Sequence, residues 1–163
     1  MQMSAKDSII IKPHYEIVKV VDGDGLIVRH LISNKEEEIR LYGIDAPELT
    51  PCKKLKQDEI ETHLPGQFLL KLGMLSYQFL IKKAPVNKKV TLIQEVGNEI
   101  DKYGRTLAYV VLPNGNTLNE IMVKNGYAKP YDKIFCNELP KYQEMSLTAK
   151  TKKKGLYLLT DRL

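Results

Sequence analysis

The sequence predicts one α+β domain built mainly from a small five-stranded β barrel, and three observations lead to this prediction. First, 163 residues is the ordinary length of a single domain with its own core. Second, the first half contains β-rich runs around an Asp-Gly hairpin signal at 22–25. Third, residues 67–83 have helical apolar spacing and follow the third predicted strand.

The predicted elements follow the order strand, strand, strand, helix, strand, strand, helix, helix. The strands are predicted at residues 15–21, 26–30, 37–44, 89–95 and 105–112, and the helices at 67–83, directly after Thr117, and at 138–154. A helix after the third of five strands is the order of an OB barrel, and other α+β folds share it. The fold class predicted is therefore an OB-type barrel with three α-helices.

Two segments carry more specific expectations. Residues 47–65 are polar and interrupted by prolines, so we predict mostly loop with a helical turn near 58–62. In the last helix, the core-facing positions are predicted to be Leu139, Tyr142, Met145 and Leu147. The domain itself is predicted at 15–157, with an N-terminal extension at 1–14 and a C-terminal tail at 158–163.

The composition excludes several classes of protein. Apolar residues make up 43% and charged residues 28%, which excludes disordered and collagen-like chains. No run of 18 apolar residues occurs, so we predict no membrane span and no membrane partner. The N-terminus lacks the apolar region of a secretory signal.

The net charge of +5 is concentrated near the C-terminus. Residues 124–154 contain eight lysines and three acids, and the rest of the chain is balanced. A basic stripe attracts polyanions such as nucleic acid, and it is equally typical of a solvated, lysine-rich helix face.

The cysteines and histidines do not form a recognisable metal or redox motif. Cys52 and Cys136 lack the spacing of a zinc site, and the three histidines are scattered. A disulfide between the two cysteines is geometrically possible if both segments border one cleft, and two free thiols are the alternative.

Three acids lie near predicted strand ends, at Asp24, Asp45 and Glu48. If the first turn approaches the end of the third strand, these carboxylates converge and repel each other unless a cation joins them. Hard oxygen ligands without Cys or His suit Ca²⁺ or Mg²⁺ better than Zn²⁺.

Two arginines, Arg40 and Arg105, accompany these acids in the predicted strands. Each arginine is able to form an ordinary salt bridge, or to hold a phosphate with its planar fork. Two arginines, a divalent cation and a free glutamate together supply what phosphodiester hydrolysis needs.

Four stretches of the sequence form a recognisable set: VVDGDGLIV at 20–28, IRLYGIDAPEL at 39–49, DKYGRTLAYV at 101–110 and LNEIMVKNGYAKPY at 118–131. In these motifs and in their order, the chain resembles the staphylococcal nuclease (thermonuclease) family. The resemblance implies an OB barrel and Ca²⁺-dependent hydrolysis of single- and double-stranded DNA and of RNA. The family cuts the 5′ P–O bond and leaves a 3′-phosphate.

The resemblance also implies roles for individual residues. By position, Asp24 and Asp45 are calcium ligands, and Ala46 contributes its backbone carbonyl. Arg40 and Arg105 take the place of the phosphate-binding pair.

The remaining site positions follow from the same resemblance. Glu48 takes the place of the carboxylate that activates or positions water. Lys102, Tyr103 and Tyr131 fall at the nucleotide pocket. The loop after Glu48 is longer than in the family's type member.

Three functions remain in competition. The first is a metal-dependent nuclease, and the second is a nucleic-acid-binding module on the same barrel with weak or absent chemistry. The third is a structural or interaction domain in which the acids and arginines form ordinary ion pairs. The presence of all five acids and arginines favours the nuclease. We expect a monomer. A nonspecific nuclease endangers its own cell, and a site of this kind binds calcium weakly, so a secreted or periplasmic mature form is favoured.

Overall fold

A computed structural model describes residues 8–163. Its strands are β1 (Ile9–Asp22), β2 (Gly25–His30), β3 (Glu36–Leu41), β4 (Ile44–Asp45), β5 (Lys89–Glu95), β6 (Thr106–Val111) and β7 (Lys129–Pro130). Five of them pair in the order β1-β2-β3-β6-β5, and β5 returns to β1, so the pairings form a ring. The α+β class and the five-stranded OB-type barrel are therefore confirmed.

The long first strand is what brings the two ends of the ring together. β1 pairs antiparallel with β2 along one edge and with β5 along the other. Register shifts in both ladders bend the strand, and His14 has a positive φ at one of them. β3 and β6 complete the ring as its one parallel pair, in which Arg40 lies opposite Leu107.

Strand β1 begins before the predicted domain boundary at residue 15. Ile9 already pairs with Glu95 of β5, within the predicted N-terminal extension. Residues 1–7 of that extension lie outside the described part of the chain. The domain boundaries themselves stay a prediction.

The helices are α1 (Lys53–Thr62), α2 (Gly66–Lys83), α3 (Leu118–Lys124) and α4 (Leu139–Thr151), and a 3-10 helix follows at Gly155–Leu158. Helix α3 begins as predicted, because Thr117 Oγ1 accepts a hydrogen bond from the Glu120 backbone N–H at 3.0 Å. The described residues thus contain four α-helices where three were predicted. The additional helix, α1, occupies most of the segment predicted to be loop.

The main core fills the barrel and continues between it and helices α2, α3 and α4. In α4, Leu139 and Tyr142 are buried as predicted, but Leu147 is 67% exposed, so its assignment to the core was wrong. Ser146 and Ala149 take the buried positions instead. None of the helices between residues 8 and 163 is both long and apolar enough to cross a membrane.

A second, smaller cluster packs α1 against α2, with Leu55 of α1 beside Leu69 and Leu72 of α2. It fixes α1 next to the end of β4. Cys52, directly before α1, is exposed, and Cys136 is buried beneath Gly43, so the two cysteines are free thiols rather than a disulfide.

Candidate active site

Arg40 joins the two acids predicted to bind a metal. Its Nη2 lies 3.4 Å from Asp24 Oδ2 and 3.7 Å from Asp45 Oδ1, while Nη1 donates to the Leu41 carbonyl at 2.8 Å. Both aspartates are 7% exposed. The first hairpin turn and the end of the third strand therefore meet, as the sequence predicts.

The hairpin turn reaches this position because Gly23 has no side chain. A Cβ on Gly23 would lie 2.7 Å from the Ala46 Cβ and 2.8 Å from the Ser76 Cβ of α2. The close approach is completed by the Ala46 N–H, which donates to Asp24 Oδ2 at 2.9 Å. Asp24 is thus held by backbone contacts as well as by its ion pair.

A lysine that the sequence analysis did not single out contacts the same centre. Lys54 Nζ of α1 lies 3.1 Å from Asp45 Oδ2, and 2.7 Å and 3.0 Å from the two oxygens of Asp58. Asp58 is 7% exposed. Burial alone would lower the pKa of Lys54, but Asp45 and Asp58 more than offset it and raise that pKa.

Glu48 lies near this centre in a half-buried position. Burial raises its pKa to about 7, and the negative charges of Asp24 and Asp45 add to the rise, while Lys54 opposes it. A carboxyl with this pKa is poised to exchange a proton near neutral pH. The backbone of Glu48 packs against Gly73 of α2, where a Cβ would collide with the Glu48 carbonyl.

The centre carries an excess of negative charge. Burial raises the pKa of Asp24 to about 6, with Arg40 opposing the rise and Asp22 adding to it. Burial alone would lower the pKa of Arg40, yet the carboxylates around it raise that pKa. These carboxylates are Asp24, Asp45, Asp22 and Glu48.

These groups fit a hard divalent cation in chemistry and charge. Carboxylate and carbonyl oxygens are the ligands that Ca²⁺ and Mg²⁺ prefer, and a cation would relieve the repulsion among the acids. Within residues 8–163, however, no three carboxylate, imidazole or thiol groups are grouped closely enough to enclose a metal. The three converging carboxylates expected from the sequence are therefore not formed as a cluster. Coordination would depend on Asp24 and Asp45, with the Ala46 carbonyl and solvent.

Arg105 is held in a separate group, at the start of β6. Its Nε donates to Asp101 Oδ2 at 2.8 Å, and its guanidinium carbon lies 5.4 Å from the centre of the Tyr103 ring. Lys102 Nζ lies 5.1 Å from the same ring centre. Tyr103 is 71% exposed, so this ring offers a flat face to solvent beside two cations.

The strand register relates Arg105 to Arg40. Leu107 pairs with Arg40 across the β3–β6 ladder, and Arg105 lies two residues before Leu107. Of the two predicted phosphate-binding arginines, Arg40 thus lies within β3 and Arg105 directly before the neighbouring strand β6, and each has its own carboxylate partners.

Tyr131 lies directly after β7, which pairs with β4 so that Lys129 is opposite Asp45. The Tyr131 N–H donates to the Gly43 carbonyl at 2.9 Å. This pairing fixes the backbone of Tyr131 two residues from the partner of Asp45.

Sequence reasoning missed Lys54, Asp58 and Gly73. The i, i+4 spacing of Lys54 and Asp58 within a polar stretch was the available signal for α1. The small residues Gly73 and Ser76, spaced i, i+3 inside an apolar helix, signalled a close approach to its surface.

The chain belongs to the family described as staphylococcal nuclease homologues, whose profile matches residues 38–158. It is 33% identical over 130 residues to a thermonuclease of Staphylococcus hyicus, covering 80% of this chain and 64% of that protein. It is 30% identical over 149 residues to the endonuclease YhcR of Bacillus subtilis, covering 89% of this chain and 11% of that protein.

An uncharacterised protein of Bacillus anthracis is 32% identical to this chain over 148 residues, which is 87% of this chain and 59% of that protein. One from Methanocaldococcus jannaschii is also 32% identical, over 126 residues, and 60% of its length is covered. The chain therefore spans about three fifths of these relatives.

Proposed function

We propose that the protein is a calcium-dependent nuclease that hydrolyses single- and double-stranded DNA and RNA with little sequence specificity. It cuts the 5′ P–O bond and leaves 3′-phosphates. Membership of the staphylococcal nuclease family and relatives named thermonuclease and endonuclease support a nuclease. The observation that carries the proposal is the buried Asp24–Arg40–Asp45 arrangement beside Glu48.

In this proposal Asp24, Asp45 and the Ala46 carbonyl would hold Ca²⁺, which would supply positive charge against the charge that develops on the phosphate oxygens. Buried carboxylates whose charges repel each other are suited to this task, because a divalent cation lowers their mutual repulsion.

Arg40, within β3, and Arg105, directly before β6, bind the scissile phosphate. A guanidinium fork matches two phosphate oxygens, and its contacts strengthen as the phosphorus becomes five-coordinate. Ion pairs with Asp24 and Asp101 hold the Arg40 and Arg105 side chains in place before substrate arrives.

Glu48 takes the proton from the attacking water. The water oxygen forms a bond to phosphorus while the bond to the 5′ oxygen breaks. The leaving oxygen takes a proton from solvent, to which Glu48 later releases the proton that it accepted. Burial is the main cause of the raised pKa of Glu48, and it makes this carboxylate a better proton acceptor than a solvated one.

Lys102, Tyr103 and Tyr131 bind the nucleotide next to the cleaved bond. The exposed Tyr103 ring stacks on a base, and Lys102 contacts a neighbouring phosphate. Phosphate contacts and stacking do not read base edges, which is why we expect little sequence specificity.

The test is cleavage of plasmid DNA, single-stranded DNA and RNA with Ca²⁺ or with chelator, followed on gels. We expect cleavage only with Ca²⁺, and product 5′ ends that polynucleotide kinase labels without prior phosphatase treatment. Asp45→Asn should lose cleavage, while the exposed Asp161→Asn should keep it.

The competing function is a binding module, and one observation favours it. Lys54 and Arg40 already neutralise Asp45 within the chain itself. Binding of nucleic acid without cleavage, at every calcium concentration tested, would replace the nuclease by this module.

A further inference from the structure

The ammonium group of Lys54 contacts Asp45, one of the two aspartates predicted to bind a metal. Asp45 has two carboxylate oxygens, and Arg40 Nη2 lies 3.7 Å from Oδ1 while Lys54 Nζ lies 3.1 Å from Oδ2. Both oxygens of Asp45 therefore already have a cationic neighbour from the chain. A metal ion that binds Asp45 must share an oxygen with one of these groups or displace it.

Lys54 is better placed than Arg40 to be the group that moves. The Arg40 side chain is 14% exposed and is also held by Asp24 and the Leu41 carbonyl. The Lys54 side chain is 31% exposed, and its tighter contacts are to Asp58 on its own helix. When Lys54 is released from Asp45 it stays paired with Asp58, and the metal ion takes its place at Asp45. Neither Lys54 nor Asp45 is then left without a partner of opposite charge.

Helix α1 holds Lys54 in this position. Leu55 buries the helix against Leu69 and Leu72 of α2, and Glu61 reaches Lys133 at 4.0 Å near its other end. Asp58 and Asp45 also line one small cavity between α1 and β4. The ammonium group of Lys54 is thus held near Asp45 by a helix that is itself packed in place.

We propose that Lys54 is the internal counter-ion of Asp45, which a divalent cation displaces on binding, so that Lys54 sets how weakly the site holds its metal. The inference rests on the proposed calcium site. It gives the segment between Glu48 and α2 a function: metal binding at Asp45 breaks the ion pair between Lys54 of α1 and Asp45 of β4.

The test is calcium affinity, measured by titration calorimetry on the whole protein. Lys54→Met keeps the length of the side chain and removes its charge, and it should bind Ca²⁺ about fivefold more tightly or better. Lys54→Arg keeps a cation and should stay close to wild type. Lys54→Met also leaves Asp58 unpaired, so its result alone does not separate displacement from a general change of charge.

The double variant Lys54→Met/Asp58→Asn makes that separation, because it removes one positive and one negative charge. If displacement from Asp45 is the cause, the double variant still binds Ca²⁺ more tightly than wild type. Affinity equal to that of wild type, or weaker binding by Lys54→Met, would overturn the proposal.

A second measurement needs no variant. In wild type, reaction of Lys54 with an amine-specific reagent should rise on saturation with Ca²⁺, relative to the exposed Lys53 beside it. Unchanged reactivity at saturation overturns the proposal and leaves the calcium site standing. Failure of wild type to bind Ca²⁺ at all overturns both, and cleavage in chelator then decides whether a metal-independent nuclease remains.

Discussion

The carbonyl group of Glu48 lies against Gly73 of α2 so closely that no Cβ fits between them. This contact fixes the backbone of the carboxylate proposed to handle the proton, although Gly73 is remote from it in sequence. Ser76, one turn further along α2, also lies close to the hairpin turn that contains Asp24, since a Cβ on Gly23 would lie 2.8 Å from the Ser76 Cβ. One face of α2 therefore positions both Asp24, the carboxylate proposed to bind the metal, and Glu48, the proposed base.

Gly73→Ala should lower both stability and cleavage. In an exposed helix this change normally stabilises by about 0.5–1 kcal/mol, because glycine has more freedom to lose on folding. Here the added methyl collides with backbone, and overpacking of this kind costs about 1–3 kcal/mol. We expect a lower free energy of unfolding in urea together with reduced turnover.

Met74→Ala, on the exposed side of the same helix, is the matched control and should change neither quantity by much. A Gly73→Ala protein as stable and as active as wild type would show that α2 does not position Glu48.

The barrel was predictable because its strands carry local signals. The Asp-Gly turn at 22–25 fixes the first hairpin, and the apolar runs of β5 and β6 match their observed bounds closely. Of helix α1, only the turn near 58–62 was predicted, and the rest was missed for a physical reason. Its buried positions are Leu55, Asp58 and Thr62, and two of these are polar, so hydrophobic periodicity gives no signal.

Part of the site was predictable because local strand and turn signals also place two of its residues. The meeting of Asp24 and Asp45 follows from neighbouring strands, because the turn of one hairpin lies beside the end of the next strand. The Lys54 contact depends on how α1 packs against α2, which is tertiary information. The same holds for Leu147, whose exposure depends on the rotation of α4.

Arg40→Lys should lose about 10²-fold in turnover, the scale observed when one donor to a developing oxyanion is removed. Lysine has no planar fork, so it cannot contact Asp24, Asp45 and the Leu41 carbonyl together and still offer donors to phosphate. Steady-state rates on a short oligonucleotide give the measurement.

Arg29→Lys is the control for this substitution, since Arg29 pairs with Glu16 on the barrel surface. It should keep wild-type turnover. If Arg40→Lys also keeps wild-type turnover, Arg40 does not bind the phosphate, and its ion pairs with Asp24 and Asp45 are only structural.

Glu48 should make the metal-free protein less stable as the pH rises. Burial, followed by the charge of Asp24, raises its pKa from 4.5 to about 7, so between these values the folded state binds more protons than the unfolded state. Stability supplied by the protonated carboxyl is present below the lower value and is lost as the pH rises through about 7.

Glu48→Gln should remove this part of the pH dependence. Urea unfolding in chelator at pH values of about 5 and about 8 is the measurement. We expect a smaller drop in the unfolding midpoint for Glu48→Gln than for wild type. The exposed Glu144→Gln should show the wild-type drop, and an equal drop in all three proteins would contradict the raised pKa of Glu48.

The lysines at the end of α4 should bind long substrates without taking part in cleavage. The segment 124–154 holds the whole net charge of the chain, and it starts close to the site, since Lys129 pairs with Asp45. Replacing the four exposed lysines at its end by Gln should weaken binding of long single strands and flatten its salt dependence. The changed residues are Lys150, Lys152, Lys153 and Lys154.

For every phosphate that the variant no longer binds, the slope of log affinity against log salt should fall by about 0.7. A dinucleotide-sized substrate is too short to reach these lysines, so its cleavage should be nearly unchanged. The control removes the same charge elsewhere on the surface, by changing the exposed Lys19, Lys35, Lys82 and Lys88 to Gln. If both quadruple variants flatten the salt dependence equally, net charge rather than a basic track attracts the strand. If neither variant changes the salt dependence, the lysines at the end of α4 do not bind the strand and only solvate that end of the helix.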